Sequence, residues 1–459
     1  MKNKDQYKSL LIFLASALIL AILTAIFSYV WYTFYAYSDA LDAPFFRRGN
    51  YVMIGLYALM VFLFYKLYGG FRIDQQRISE MLYAQLLSIV CVNMVTYLQL
   101  CLIGNWKFLS HVEPMVQMTL ADILAISVWV CLMRLAYVKL YPPRKTVLVY
   151  GHSSPDDLLR KIRTRPDKYS VEEMISIDAD PARIREKIDH YRNVILTDIP
   201  AESRNELLKY CFSKDIRCYC VPKISDIMIR SAGAIHMFDT SLLVFRNAGL
   251  KMESRIAKRA FDIALSLPLA VLTAPLVGLI AAAVKLYDGG PVFFTQERLT
   301  ENGKVFRILK FRSMHCETRQ ESYCLTRKND ARITPVGRLL RNSHFDELPQ
   351  LYNILKGEMS FVGPRPECPE LAAQYEKNLP EFSYRLKVKA GLTGFAQVYG
   401  QYNTTPSDKL KLDLAYIENQ SFLLDLKLIL LTVKFLFQNE RAAGIEAWQT
   451  TAEAECEVK

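Results

Sequence analysis

Asp346 and Glu347 are neighbouring carboxylates in the run Asp346-Glu347-Leu348-Pro349-Gln350, and Gly363-Pro364-Arg365-Pro366 follows shortly after. Two adjacent carboxylates ionise together at low cost only when cations or a metal share their site. Lys310, Arg312, Arg332, Arg338, Arg341 and Arg365 lie on either side of the pair and can supply that charge. Acid set among base suits phosphate handling, where catalysis is mainly positioning and charge neutralisation. Arginine in particular suits bidentate contacts to phosphate. The stretch is not a solvated charge run, because Leu339, Leu340, Phe345, Leu348, Leu351, Ile354 and Leu355 give it an apolar face.

The elements that carry this site belong to a long chain. Its 459 residues suggest about three domains. A formal charge of +11 with 51% hydrophobic residues points to a membrane protein facing anionic lipid or a phosphate-rich substrate. Nucleic acid is the competing partner for such a charge, and it is not expected because no nucleic-acid-binding module can be read. Of the ten cysteines, Cys218 and Cys220 form the tightest pair, with no second pair or nearby histidine to complete a zinc set. Reduced thiols in a cytosol-facing protein are expected.

Four apolar stretches, Leu10 to Tyr32, Tyr51 to Tyr68, Met81 to Ile103 and Met115 to Leu140, approach or exceed the length needed to cross a bilayer. The first lacks a small-residue cleavage site and is followed by an aromatic belt, so it is read as a span. Lys2, Lys4 and Lys8 precede it, Lys66, Arg72 and Arg77 join spans two and three, and Arg134, Lys139, Arg144 and Lys145 surround the end of span four. The positive-inside rule then predicts a cytoplasmic N-terminus and a cytoplasmic chain after residue 140. Asp122 and Arg134 in span four are read as interhelical glue or snorkelling groups.

Pro142-Pro143-Arg144-Lys145 marks a boundary. Strands at Thr146 to Tyr150, Val194 to Leu196 and Arg217 to Val221 alternate with helices at Asp156 to Arg163, Ile184 to Tyr191 and Glu202 to Phe212, which predicts a Rossmann-like parallel sheet. Gly151-His152-Ser153-Ser154-Pro155 lacks the later glycines of a dinucleotide fingerprint, so a regulatory or assembly module is expected. Asp178-Ala179-Asp180, followed by Pro181, reads as a turn and a helix start.

A further apolar run follows Lys258-Arg259 and extends to about Tyr287. Pro275 at its middle removes a helical hydrogen bond and bends the axis. Basic residues flank both ends, so both ends are expected in the cytoplasm, with the segment entering and returning as a bent hairpin. The other reading is a fifth span with a proline kink.

Residues 255 to 438 resemble the bacterial sugar transferase family, the monotopic polyprenyl-phosphate phosphosugar transferases. The blocks that carry the resemblance are Lys258-Arg259-x-x-Asp262, Gly290-Pro291-Val292-Phe293-Phe294-x-Gln296, Lys310-Phe311-Arg312-Ser313-Met314, Asp330-x-Arg332-x-Thr334, Asp346 to Gln350, Gly357 to Pro366 and Gly391 to Val398. The four spans and the α/β module resemble the long form of the family. The resemblance implies transfer of a sugar-1-phosphate from a UDP-sugar to a polyprenyl phosphate, usually undecaprenyl phosphate, with release of UMP. The resemblance also implies that this is the first membrane step of exopolysaccharide, capsule or O-antigen synthesis. It implies Asp346 as the nucleophile forming an aspartyl-phosphosugar, Glu347 as its catalytic partner, and Mg²⁺ placed by Asp346. Lys310, Arg312, Arg332, Arg338, Arg341, Arg365 and Gln397 become the substrate-binding set, and Lys258, Arg259 and Pro275 belong to the membrane hairpin. The family often has Ser where Ala274 stands before the hairpin proline, and usually Ser and Leu at His344 and Phe345.

The expected fold class is therefore membrane α plus α/β. A four-helix transmembrane bundle occupies 1–145 and a cytoplasmic Rossmann-like domain 146–250. A mainly α catalytic domain occupies 251–440, with a re-entrant helix at 258–287 and a flexible tail at 441–459. Expected partners are the UDP-sugar, polyprenyl phosphate, the lipid bilayer of the bacterial inner membrane and a second copy in a homodimer. The competing functions are a glycosyltransferase using Asp178 and Asp180, which would release nucleoside diphosphate, and a non-catalytic membrane scaffold of glycan assembly.

Overall fold

The computed structural model describes residues 2–38, 47–151, 154–245, 252–315, 332–400 and 404–436. His152, Ser153, Asp330 and the tail 441–459 lie outside these residues. The chain divides into two compact units, Met1–Pro222 and Lys223–Lys459.

The first unit opens with helices α1 (Lys2–Val30), α2 (Arg47–Tyr68), α3 (Ile78–Ile103) and α4 (Glu113–Leu140). Each is long and apolar enough to cross a membrane. Ile19, Leu23, Phe27, Tyr57, Val61, Ile89, Val92 and Ile126 pack inward, while Phe13, Leu63, Met94, Leu124 and Leu135 face out. Inside, Asn93 donates to Asp122 at 3.0 Å and accepts from the Tyr57 hydroxyl at 3.0 Å. Asp122 thus joins α3 and α4, as expected of a polar group on an apolar helix. Arg134 instead pairs with Asp167, beyond the end of α4.

Next come β1 (Arg144–Tyr150), α5 (Asp156–Arg163), β2 (Tyr169–Ser176), α6 (Pro181–Asp189), β3 (Asn193–Thr197), α7 (Ala201–Ser213) and β4 (Arg217–Cys220). The strands form one parallel sheet in the order β2-β1-β3-β4. Val147, Val149, Val194 and Leu196 face Ile184, Ile188, Leu207 and Cys211; Leu148 and Ile195 face Leu159 on the other side. Both faces are covered, as parallel sheets require. Gly151 ends β1 where a Cβ would lie 1.8 Å from the Asp198 carbonyl, so its bareness serves backbone packing at the β1/β3 junction. Asp178 bonds Ser176 in a turn, and Asp180 caps α6 by accepting from the Ala182 amide at 3.4 Å.

The second unit contains α8 (Ile224–Ser231), the hairpin β5 (Gly233–Met237) and β6 (Thr240–Val244), and α9 (Met252–Asp288). α9 is a fifth helix long and apolar enough to span. It contains both Pro268 and Pro275 without a break in its helical run, where the sequence suggested helix, break and helix. A proline removes one hydrogen bond and bends the axis, and neighbouring turns can still carry the helix on. There follow the antiparallel pair β7 (Phe293–Leu299) and β8 (Val305–Phe311), then α10 (Pro335–Asn342), α11 (Gln350–Lys356), β9 (Ser360–Val362) and α12 (Pro369–Asn378). The unit ends with β10 (Gly391–Thr393), α13 (Phe395–Tyr399), α14 (Pro406–Glu418) and α15 (Phe422–Leu436).

Candidate active site

α10 starts on Pro335 with Thr334 as its cap, the hydroxyl accepting from the Gly337 amide at 2.9 Å. It ends before His344, whose φ of 55° turns the chain into a short 3₁₀ segment, Phe345–Glu347. Pro349 then leads into α11. Asn353 of α11 docks this segment on β8: its side chain accepts from the Leu309 amide at 3.0 Å and donates to the Arg307 carbonyl at 2.8 Å. That register sets Lys310 beside Glu347.

Glu347 Oε1 receives two cations, Lys310 Nζ at 2.6 Å and Arg365 Nη2 at 3.0 Å. Burial pushes the Glu347 carboxyl up, but Lys310 and Arg365 outweigh it and hold it well below the ordinary glutamate range. Asp346 is in the opposite state. It is 9% exposed, and among the described residues no hydrogen bond or ion pair engages its carboxylate. Burial, and then the Glu347 charge beside it, push its pKa up against the fields of Lys310, Arg341 and His344. Arg341 is braced by its Nε donating to Ser313 Oγ at 2.8 Å. One carboxylate is thus held by cations, and the other is buried, uncommitted and close to them. The second can attack an electrophile whose negative charge the cations balance.

Residues 253–439 match the bacterial sugar transferase family. A UDP-glucose:undecaprenyl-phosphate glucose-1-phosphate transferase of Caulobacter vibrioides is 39% identical over 210 residues, 44% of this chain and 79% of that protein. The chain belongs to the bacterial sugar transferase family. The undecaprenyl-phosphate glucose phosphotransferase of Komagataeibacter xylinus is 40% identical over 203 residues, 42% of this chain and 38% of that protein. A UDP-glucose:undecaprenyl-phosphate glucose-1-phosphate transferase of Escherichia coli K12 is 40% identical over 194 residues, 41% of this chain and 42% of that protein. The matched stretch therefore spans less than half the length of the latter two.

The other sequence-predicted residues of this family member have these surroundings. Arg312 forms a two-point pair with Asp288 at the end of α9, one bond being 2.8 Å. Arg332 gives its carbonyl to the His315 amide at 3.0 Å, and Arg338 is exposed on α10. Gln397 of α13 has both side-chain amide atoms buried without a hydrogen-bond partner among the described residues. Arg259 donates to the carbonyls of Ile354 and Leu355, both at 2.6 Å, and so closes the C-terminal end of α11. Lys258 Nζ reaches Asp425 at 2.6 Å and the Val362 carbonyl at 3.0 Å, tying α9 to α15. Asp262 accepts from the Ser360 hydroxyl at 3.0 Å and the Phe361 amide at 3.1 Å.

Two groups carry roles that the sequence reading left unassigned. Gln350, the first residue of α11, is buried and its Nε2 has no hydrogen-bond partner among the described residues. Glu367, Arg385, Lys409 and Asp413 form a buried charge cluster. Only the spacing of Lys409 and Asp413 on one helix face hints at it in the sequence.

Lys258→Met leaves Asp425 buried and without its cation, and should destabilise the unit by about 3–5 kcal/mol. Adding Asp425→Leu should recover most of that loss, because an apolar pair needs no counter-charge. Thermal unfolding of the purified single and double variants checks this; equal stability of the two would refute it.

Proposed function

We propose that this protein transfers a sugar-1-phosphate from a UDP-sugar to undecaprenyl phosphate and releases UMP. An Asp346 oxygen attacks the phosphorus that bears the sugar, and UMP leaves with the electron pair of the broken phosphoanhydride bond. An oxygen of undecaprenyl phosphate then attacks the same phosphorus, freeing the Asp346 carboxylate and yielding the lipid diphosphate sugar. The observation that carries this reading is the contrast between a buried Asp346, with no hydrogen bond or ion pair among the described residues, and a Glu347 clamped by Lys310 and Arg365. Glucose is the first sugar to test, since the Caulobacter and Escherichia relatives are named for it. Purified protein given undecaprenyl phosphate, Mg²⁺ and a panel of UDP-sugars should release UMP with UDP-glucose. Release of UDP instead would favour a glycosyltransferase, and no turnover with any sugar would favour a scaffold.

Among the described residues no group of three or more His, Cys, Asp or Glu side chains could hold a metal. Mg²⁺ commonly binds through one or two carboxylates, with water and substrate phosphates completing its shell. Asp346, whose carboxylate has no hydrogen bond or ion pair among the described residues, fits as that carboxylate. When bound, the ion neutralises charge on the diphosphate. Chelation with EDTA should reduce UMP release by about tenfold or more, with recovery on adding Mg²⁺; full activity in EDTA would remove the metal from this proposal.

We also propose that α9 is re-entrant and that the catalytic unit is cytoplasmic, at the inner membrane. Near its start α9 is bonded to β9 through Asp262, and near its end Ile280 and Val284 pack with Phe311 and Leu340 of the same unit. Leu267, Val271 and Leu272 between them are exposed. Ends held by one globular unit argue for one side of a bilayer. Cysteines placed at 255 and 285 should both resist an impermeant thiol reagent added outside intact cells; labelling of one end only would make α9 a crossing span. A homodimer is proposed as well. The β5–β6 hairpin exposes Ile235, Met237, Phe238 and Leu243, and it has no third strand among the described residues.

A further inference from the structure

Glu367, Arg385, Lys409 and Asp413 have no role in the reaction as argued so far. They join the stretch that carries Arg365 to 3₁₀- and α-helical residues further along the chain through Arg385 and Lys409. Arg385 is 3% exposed and Asp413 1% exposed. Arg385 uses its whole guanidinium. Nε donates to Asp413 Oδ2 at 3.0 Å, Nη1 donates to Glu367 Oε1 at 3.2 Å, and Nη2 donates to the Arg365 carbonyl at 2.9 Å. Glu367, two residues after Arg365, also pairs with Lys409 and stands 3.9 Å from Arg298. Burial pushes the Glu367 carboxyl up, yet Lys409 and Arg385 hold it down at about 2. α14 presents Lys409 and Asp413 together because residues four apart share a helix face.

Such a buried cluster is weak as a stability device, since desolvation of each ion offsets much of the attraction. Its arrangement points elsewhere. The backbone of Arg365 is held from behind by Arg385, while its side chain reaches forward to Glu347. The flanking Pro364 and Pro366 restrict the same backbone. We propose that Arg385, oriented by Asp413 and Glu367, is a positioning residue that fixes where the Arg365 guanidinium meets the substrate phosphates. It touches no reacting atom. It acts through one carbonyl, by keeping Arg365 in place before substrate arrives. The inference rests on the proposed transferase reading for what Arg365 binds.

Lysine at 385 can pair one carboxylate, but it cannot make the three-way fork. A double-variant cycle tests the idea on the full-length protein, using wild type, Arg385→Lys, Arg365→Ala and the double variant. Two quantities are read: kcat/KM for UMP release from UDP-glucose, and the Kd for UDP alone. Arg385→Lys is expected to weaken each about tenfold or more in the Arg365 background, and less than about twofold once Arg365 is alanine. Multiplying losses would overturn the proposal, because they would mean that Arg385 acts through the fold at large. If Arg385→Lys does not fold, Asp413→Asn replaces it in the same cycle, since it keeps an acceptor for Nε while loosening the fork; the same two outcomes decide. The UDP measurement separates the two claims. Coupled UDP binding without UMP release would keep the positioning role and discard the transferase reading. Normal turnover with uncoupled variants would do the reverse.

Discussion

Asp346→Asn should abolish UMP release, with kcat falling by about 10⁴ or more, and should eliminate any radiolabelled phosphosugar retained on the protein. The expectation follows from an amide having no charge and little nucleophilicity towards phosphorus. Usually such a result is clouded by damage to the fold. Here it should not be, because the Asp346 carboxylate has no hydrogen bond or ion pair among the described residues. Its pKa is raised by burial and by the Glu347 charge, so the ionised form is better tolerated in the unfolded chain than in the fold. Neutralising it should leave stability unchanged or slightly higher at neutral pH, as when a catalytic group is held against its own preference. A variant that is fully folded and inactive is therefore expected; wild-type turnover would remove Asp346 as the nucleophile.

The same residues show where the sequence spoke and where it was silent. Asp346, Glu347, Lys310 and Arg365 were legible because unlike charges were concentrated beside an apolar face, and the structure brings all four together. Arg312 carried the same local signal but pairs with Asp288, a partner that only the fold brings near. Arg385 was missed for a related reason: Glu367 and Asp413 lie far from it in the chain, and spacing cannot report a contact made by folding. In the α/β module, α5, α7, β3 and β4 were visible through periodicity and β-branched runs. β2, Tyr169–Ser176, was not, because Glu172 and Glu173 interrupt its alternation with adjacent charges. α6 begins at Pro181, earlier than its apolar pattern suggests, since Asp180 caps it and proline suits the first helical turn.

Glu347→Gln should fail in a different way, losing activity and stability together. Glu347 is the common anchor of Lys310 and Arg365, both on Oε1. Glutamine keeps an oxygen of similar shape, so both donors still find an acceptor, but the charge that collects them is gone. Turnover should fall by about 10²–10³, because the two cations proposed to meet the substrate phosphates lose their fixed geometry. Stability should fall by about 1–3 kcal/mol at neutral pH, with most of it from the less exposed Lys310, since Arg365 is partly screened by solvent. The pH dependence has a definite sign. Burial opposes the Glu347 charge, and Lys310 and Arg365 overcome it, so the folded pKa is depressed. The carboxylate therefore stabilises the fold above the ordinary glutamate range, and its contribution fades as the pH falls from that range towards the lower folded value. The stability gap between wild type and Glu347→Gln should narrow over that acidic window and stay constant above it. Asp346→Asn should show no such gap at neutral pH. Denaturation of the two variants across pH, alongside UMP release, separates the clamped carboxylate from the free one. Equal stability loss in both, or full activity in Glu347→Gln, would show that the two carboxylates do not divide the work as their surroundings indicate.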